Sequence, residues 1–146
     1  MQFEIVSPES KEDFERYYDL RWRLLREPWG QPSGSERDEL ESQSLHLMAR
    51  VAATTPVGVA RLHFNSVTEA QIRYMAVDAA CRGQGVGRAL LQALELRARA
   101  RGARLIVLDA RQAAVGFYEQ AGYEIVGASR RLFGTLPHVA MRKPVG

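Results

Sequence analysis

The chain has 146 residues, 46% of them hydrophobic and 25% charged, with a single cysteine and a net charge of +3. That length is enough for one hydrophobic core, and a lone Cys81 excludes an internal disulfide framework and a cysteine-based zinc site. No apolar run approaches the roughly 18 residues of a membrane span, and the start Met1-Gln2-Phe3-Glu4-Ile5-Val6 lacks the basic and apolar regions of a signal peptide. These features set the expectation of a soluble, cytoplasmic, single-domain protein over 1–146. Lys11 and Lys143 are the only lysines, so the positive charge is carried by arginine. Arginine suits bidentate phosphate contact, and a nucleic-acid partner is therefore weighed from the outset.

In chain order, Gln2 to Val6 reads as a short strand. Ser10 followed by Asp13 gives a start resembling a capping box, and Phe14, Tyr17, Tyr18, Arg21, Leu24 and Leu25 fall at helical spacing. The helix is expected to end near Pro28, where Pro28, Gly30, Pro32 and Gly34 make the densest loop signal. Ser44 to Ala52, Val57 to Phe64 and Ala70 to Val77 read as three antiparallel strands, with turns at Thr54-Thr55-Pro56 and Asn65-Ser66. Val86 to Arg101 is an amphipathic helix ending at Gly102. Arg104 to Asp109, with Leu105-Ile106-Val107-Leu108, reads as a strand buried on both faces. Ala113 to Gln120 is helical, and Tyr123 to Val126 and His138 to Met141 close the chain as strands. The order is mixed α/β, not the alternation of a doubly wound sheet.

The segment from Tyr74 to Leu90 carries the chemistry. A strand runs into a loop with Gly83, Gly85 and Gly87, and the loop runs into a helix. Glycines let backbone approach a ligand, and the unpaired N–H groups of a helix start attract anions, so the segment is a candidate pyrophosphate cradle flanked by Arg82 and Arg88. A P-loop is excluded because no lysine occurs between Lys11 and Lys143. A dinucleotide fingerprint fails at its third glycine, which falls on Arg88, and too little chain follows Asp109 for the rest of that fold.

Arg82-x-x-Gly85-x-Gly87, preceded by Met75-Ala76-Val77, resembles the acetyl-CoA-binding motif of the GNAT superfamily of N-acetyltransferases. Asp109 to Tyr123, with Phe117-Tyr118 and Gly122-Tyr123, is similar to the second motif of that family. The resemblance implies the GNAT acyl-CoA N-acyltransferase fold, α/β (α+β), with a mixed six- to seven-stranded sheet and about four flanking helices. It implies acetyl-CoA as co-substrate, no metal, and direct attack by an amine without an acyl-enzyme. By position, the backbone of Met75, Ala76 and Val77 would hold the pantetheine arm, with the Val77 N–H polarising the thioester carbonyl. Gly83, Gln84, Gly85, Val86, Gly87 and Arg88, with Arg82, would hold the pyrophosphate. Arg111 stands where relatives often place an Asn near the pantetheine.

Tyr118 matches the tyrosine that faces the departing sulfur as general acid. Reference pKa values near 10 for Tyr and 8.5 for a thiol make full proton transfer uphill by about 2 kcal/mol, so a strong hydrogen bond describes its role better. The strand position that carries a glutamate base in several relatives is Gln71 here. Glu69 and Asp109 remain as weaker candidates acting through water. Without a base at Gln71, an acceptor amine of low pKa is favoured.

Cys81 reads as structural filler beside a helix start. His46, His63 and His138 lack metal-ligand spacing, and His138 borders the acceptor region of the family. Glu36, Asp38, Glu39 and Glu41 form an acidic cluster, read either as a solvated face or as an attractor for a cationic amine, and Trp29 is either an acceptor wall or a core residue. The expected acceptor is a small-molecule amine or a peptide N-terminus, selected by the loops at 27–41 and 133–138. No nucleic acid or membrane is expected, and a homodimer is an expectation taken from relatives. Two other readings stay open: the same fold binding CoA as a sensor without turnover, and a basic nucleic-acid-binding domain.

Overall fold

The computed structural model describes residues 1–132 and 136–146, and the side chains of 130–132 are left aside. Seven strands and three α-helices follow one another as β1 (Glu4–Val6), α1 (Lys11–Leu25), β2 (Leu45–Val51), β3 (Thr55–Phe64), β4 (Glu69–Val77), α2 (Val86–Ala100), β5 (Leu105–Arg111), α3 (Val115–Gln120), β6 (Glu124–Leu132) and β7 (Leu136–Pro144). The strands hydrogen-bond in the order β1-β2-β3-β4-β5-β7-β6. β4 and β5 run parallel, while β1 with β2, β2 with β3, β5 with β7 and β6 with β7 are antiparallel. The mixed seven-stranded sheet is the one expected. Three α-helices are described where the resemblance implies about four, and the Pro/Gly segment after α1, expected as a loop, carries single 3₁₀ turns at Glu27–Trp29 and Glu41–Gln43.

The chain gathers into two compact units, Met1–His63 with Tyr74–Leu94, and Phe64–Arg73 with Glu95–Gly146. In the first unit, α1 starts at a true capping box. Ser10 Oγ accepts from the Asp13 N–H at 3.0 Å, and Asp13 Oδ2 accepts from the Ser10 N–H at 3.4 Å. The helix buries Tyr17, Tyr18 and Leu20 against Met48 of β2 and Val59 of β3, with Phe14, Leu24 and Ala76 around them. Each such large side chain taken fully out of water contributes about 1.5–3 kcal/mol. The first half of α2 sits on β3 at Gly58, where an added Cβ would lie 2.9 Å from Leu90 Cδ1 and 3.1 Å from Val86 Cγ1. Glycine at that position lets the helix start come close to the strand.

In the second unit, β4 pairs with β5 from Glu69↔Leu105 to Ile72↔Leu108. β5 alternates strictly: Ile106, Leu108 and Ala110 are buried, and Leu105, Val107 and Asp109 are half-buried. The continuous apolar run led to an expectation of burial on both faces; only one face is fully covered. β7 pairs along the whole of β5, from Leu105↔Pro144 to Arg111↔His138. That long ladder carries β6 and β7 well past the short strands expected at 123–126 and 138–141.

Candidate active site

The first unit holds the segment that the glycines single out. β4 ends at Val77, and the Asp78 N–H donates to the Val57 carbonyl at 2.8 Å, tying the strand end to β3. Asp78 Oδ1 then caps a 3₁₀ turn at Ala79–Cys81 by accepting from the Ala80 N–H at 3.1 Å. Gly83 and Gly85 take φ of +78° and +84°, and a Cβ built on either meets nothing within 4 Å. The left-handed backbone explains the need for glycine, and the space in front of it is open. The Ala89 N–H makes the first helical bond, to the Gly85 carbonyl. Among the described residues, none of the N–H groups from Gly83 to Arg88 donates to a carbonyl outside the helix pattern. Arg82 and Arg88 are exposed, and neither pairs with a carboxylate among the described residues. Open space, free donors and a helix N-terminus suit a pyrophosphate, so the chain fits the phosphate-bearing group that the motif implies. Met75, Ala76 and Val77 are half-buried at the end of β4. Cys81 is buried at the base of the turn, as a filler residue would be.

In the second unit, Tyr118 of α3 packs edge-on against Phe117 at 5.1 Å and Tyr123 at 5.7 Å between centroids. Burial pushes its hydroxyl pKa well above the usual range for Tyr. That hydroxyl has no hydrogen-bond partner among the described residues, which leaves its proton available to a ligand. Beneath it, the Tyr123 hydroxyl donates to Glu95 Oε2 at 2.8 Å, and Lys143 Nζ reaches the same oxygen at 3.1 Å. Tyr118 thus packs on a neighbour that is itself anchored to the Glu95–Lys143 ion pair.

The candidate bases have other partners. Asn65 Nδ2 donates to both Glu69 Oε2 at 2.8 Å and Gln71 Oε1 at 3.0 Å, so the two residues share a face as their spacing predicts, clamped from the β3–β4 turn. Asp109 Oδ1 accepts from Ser129 Oγ at 2.6 Å. Arg111 ends β5, and His138 stands opposite it on β7, its Nδ1 donating to the Leu136 carbonyl at 3.1 Å. Phe133, Gly134 and Thr135, in the second loop expected to select the acceptor, lie outside the described residues. In the first such loop, Trp29 is 38% exposed.

The acidic cluster is neither a solvated face nor a free attractor for amines. Glu41 bridges two fully buried arginines, its Oε1 2.9 Å from Arg21 Nη1 and its Oε2 2.7 Å from Arg61 Nη1. Asp38 Oδ1 lies 2.6 Å from the same Arg61 nitrogen. Glu36, 2% exposed, accepts the Gly34 N–H at 2.7 Å and pairs with Arg37. Only Glu39 of the four is left exposed. Burial works against the Glu41 carboxylate, yet the Arg21 charge and hydrogen bond, with the Asp38 N–H and Arg61, hold its pKa below the ordinary carboxylate value. Reasoning from sequence missed this network. Its signal was present in Arg21 on the aromatic face of α1 and Arg61 inside an apolar strand, each a charge at a core position that demands a counter-ion.

The sequence profile of the Acetyltransferase (GNAT) family matches residues 14–123. The chain is 28% identical over 138 residues to YjcF of Bacillus subtilis (strain 168), described as an uncharacterized N-acetyltransferase, covering 94% of this chain and 97% of that protein. A structure from Lactobacillus plantarum, solved as an N-acetyltransferase candidate, superposes with a TM-score of 0.86 at 25% identity, covering 99% of both chains. An aminoglycoside 6'-N-acetyltransferase complexed with coenzyme A gives 0.77 at 19% identity over 100% of this chain and 98% of that one, a likeness of fold. The protein belongs to the GNAT acetyltransferase family and is an acyltransferase.

Proposed function

We propose that the protein moves the acetyl group of acetyl-CoA to a primary amine by direct attack. The observation that carries this is the cradle of Gly83 to Arg88: two left-handed glycines with open space before them, N–H donors at a helix start and the exposed Arg82 and Arg88, with no partner for these groups among the described residues. These groups hold the pyrophosphate. Met75, Ala76 and Val77 hold the pantetheine by strand-like hydrogen bonds, and the Val77 N–H stabilises charge building on the thioester oxygen. Arg111 contributes to the pantetheine contact. The bound co-substrate supplies an activated thioester.

In the transfer, the amine nitrogen forms the new C–N bond, the C–S bond breaks, and the sulfur leaves as thiolate. Tyr118 donates a hydrogen bond to that sulfur. With its pKa raised by burial, the hydroxyl keeps its proton and stabilises the thiolate without becoming phenolate. Gln71 cannot accept a proton, and Glu69 and Asp109 are engaged by Asn65 and Ser129, so the ammonium proton passes to solvent. An amine with pKa near 8 is about a tenth deprotonated at pH 7, whereas one near 10.4 is below a thousandth. The acceptor is accordingly an amine of low pKa, such as a peptide or amino-acid α-amine.

Thermal unfolding tests the reading. Millimolar acetyl-CoA is expected to raise the melting temperature, and Gly85→Glu, which places a carboxylate in the cradle, is expected to abolish the rise. An unchanged melting curve for the native chain would overturn the proposal.

A further inference from the structure

Among the described residues, three non-glycine positions take positive φ. Ala52 and Ala53 form a hairpin turn, and Tyr74, at φ +57°, lies inside a strand. An L-residue in the left-handed region is strained and persists only where its surroundings over-determine it. Here the surroundings are three guanidinium groups. The Cζ atoms of Arg21, Arg61 and Arg26 lie 4.5, 4.9 and 5.3 Å from the centroid of the Tyr74 ring, within cation–π range. Arg21 and Arg61 are fully buried, and their Nε atoms have no hydrogen-bond partner among the described residues. A core that keeps two such arginines with unmet donors is under-satisfied as packing alone, which calls for a reason beyond stability.

The conformation of Tyr74 has a direct consequence for β4. Ala70, Ile72 and Tyr74 are buried in strict alternation, and the alternation stops at Tyr74, after which Met75, Ala76 and Val77 are all half-buried. A single left-handed residue redirects the peptide groups that follow it. The ring cannot rotate away without giving up its guanidinium neighbours. Those neighbours are fixed in turn: Glu41 and Asp38 bind Arg61, Glu41 binds Arg21, and the Tyr17 hydroxyl accepts from Arg21 Nη2 at 2.7 Å.

We propose that Tyr74 is a positioning residue whose ring, clamped by Arg21, Arg61 and Arg26, aims the Met75–Val77 backbone at acetyl-CoA. This rests on the reading of Met75–Val77 as the pantetheine-binding segment. Tyr74 acts through the direction of the peptide groups after it and touches no reacting atom. Glu41 is the keystone of the clamp, because one carboxylate holds both buried arginines.

Isothermal titration with acetyl-CoA tests this. Tyr74→Gly keeps the left-handed backbone available and removes the ring, so a role in backbone conformation alone predicts unchanged binding. The clamp predicts a dissociation constant raised on the order of tenfold or more, because preorganisation is lost. Tyr74→Phe, which keeps the ring face, should rescue binding. Glu41→Gln, which leaves Tyr74 in place and loosens the arginines, should weaken acetyl-CoA in the same direction, and it decides the matter if Tyr74→Gly does not fold. Native affinity in a folded Tyr74→Gly, or in Glu41→Gln when Tyr74→Gly does not fold, overturns the clamp while leaving the cofactor reading intact. Failure of the native chain to bind acetyl-CoA overturns both.

Discussion

The hydroxyl of Tyr17 lies 2.9 Å from Nδ1 of His46. On the other side of the ring, Nε2 is 2.8 Å from the Glu41 carbonyl, which can only accept. Nε2 therefore carries a proton, while the Tyr17 hydroxyl that faces Nδ1 also lies 3.2 Å from the Ala60 carbonyl and accepts from Arg21 Nη2. Burial, with the Arg21 charge beside it, lowers the His46 pKa from its usual value. The unfolded chain takes up a proton near pH 6.5 that the folded chain refuses. Stability contributed by this group should be fully present above about pH 6.5 and decline as the pH falls below it. Chemical denaturation between pH 7 and 5 checks this: a His46→Gln variant should show a shallower loss over that interval, and an unchanged slope would contradict it.

Gly58 decides how closely α2 approaches β3. Gly58→Ala is expected to destabilise the protein by about 1–3 kcal/mol, because Leu90 and Val86 are both packed and must give way. Urea unfolding of the variant measures the loss, and native stability would show that the helix start yields freely.

Tyr118→Phe should leave stability near native, since the hydroxyl has no partner among the described residues to lose. Its kcat is expected to fall about ten- to a hundredfold, the worth of a hydrogen bond to a charged group, with acetyl-CoA affinity little changed. Steady-state kinetics beside a binding titration separates the two effects. Full kcat would remove Tyr118 from the mechanism.

Glu69→Gln and Asp109→Asn should each retain activity within about twofold, as substitutions of carboxylates engaged elsewhere on the fold. A drop of two orders of magnitude in kcat, together with loss of the acidic limb of the pH profile, would identify that residue as the base after all.

Local chemistry made much of the fold legible. The Ser10 and Asp13 pair marks the start of α1, and Gly83, Gly85 and Gly102 each take the positive φ that their places in loop and cap require. What escaped depends on partners far along the chain. β6 runs through Gly127 and Ala128, which have no strand periodicity of their own, because the β7 ladder pairs them with Ala140 and Val139. Ala52 and Ala53 fill a left-handed turn usually given to Asn and Gly. The buried arginines required knowing that 36–41 folds over α1 and β3, a tertiary fact no local pattern carries. For the proposed site, the glycines at 83 and 85 and the Phe117-Tyr118 pair are readable from spacing, while the left-handed backbone of Tyr74 is visible only in three dimensions.

Turnover by the proposed route moves an acetyl group from the thioester to an amine. Release of free thiol from acetyl-CoA, followed against polyamines, aminoglycosides, amino acids and N-terminal peptides, tests it most directly. The account predicts saturable, enzyme-dependent thiol release with at least one amine class, matched by equal acetylated product and strongest with α-amines of low pKa. Saturable binding of acetyl-CoA with no thiol released for any class would contradict it and make the protein a sensor of the co-substrate.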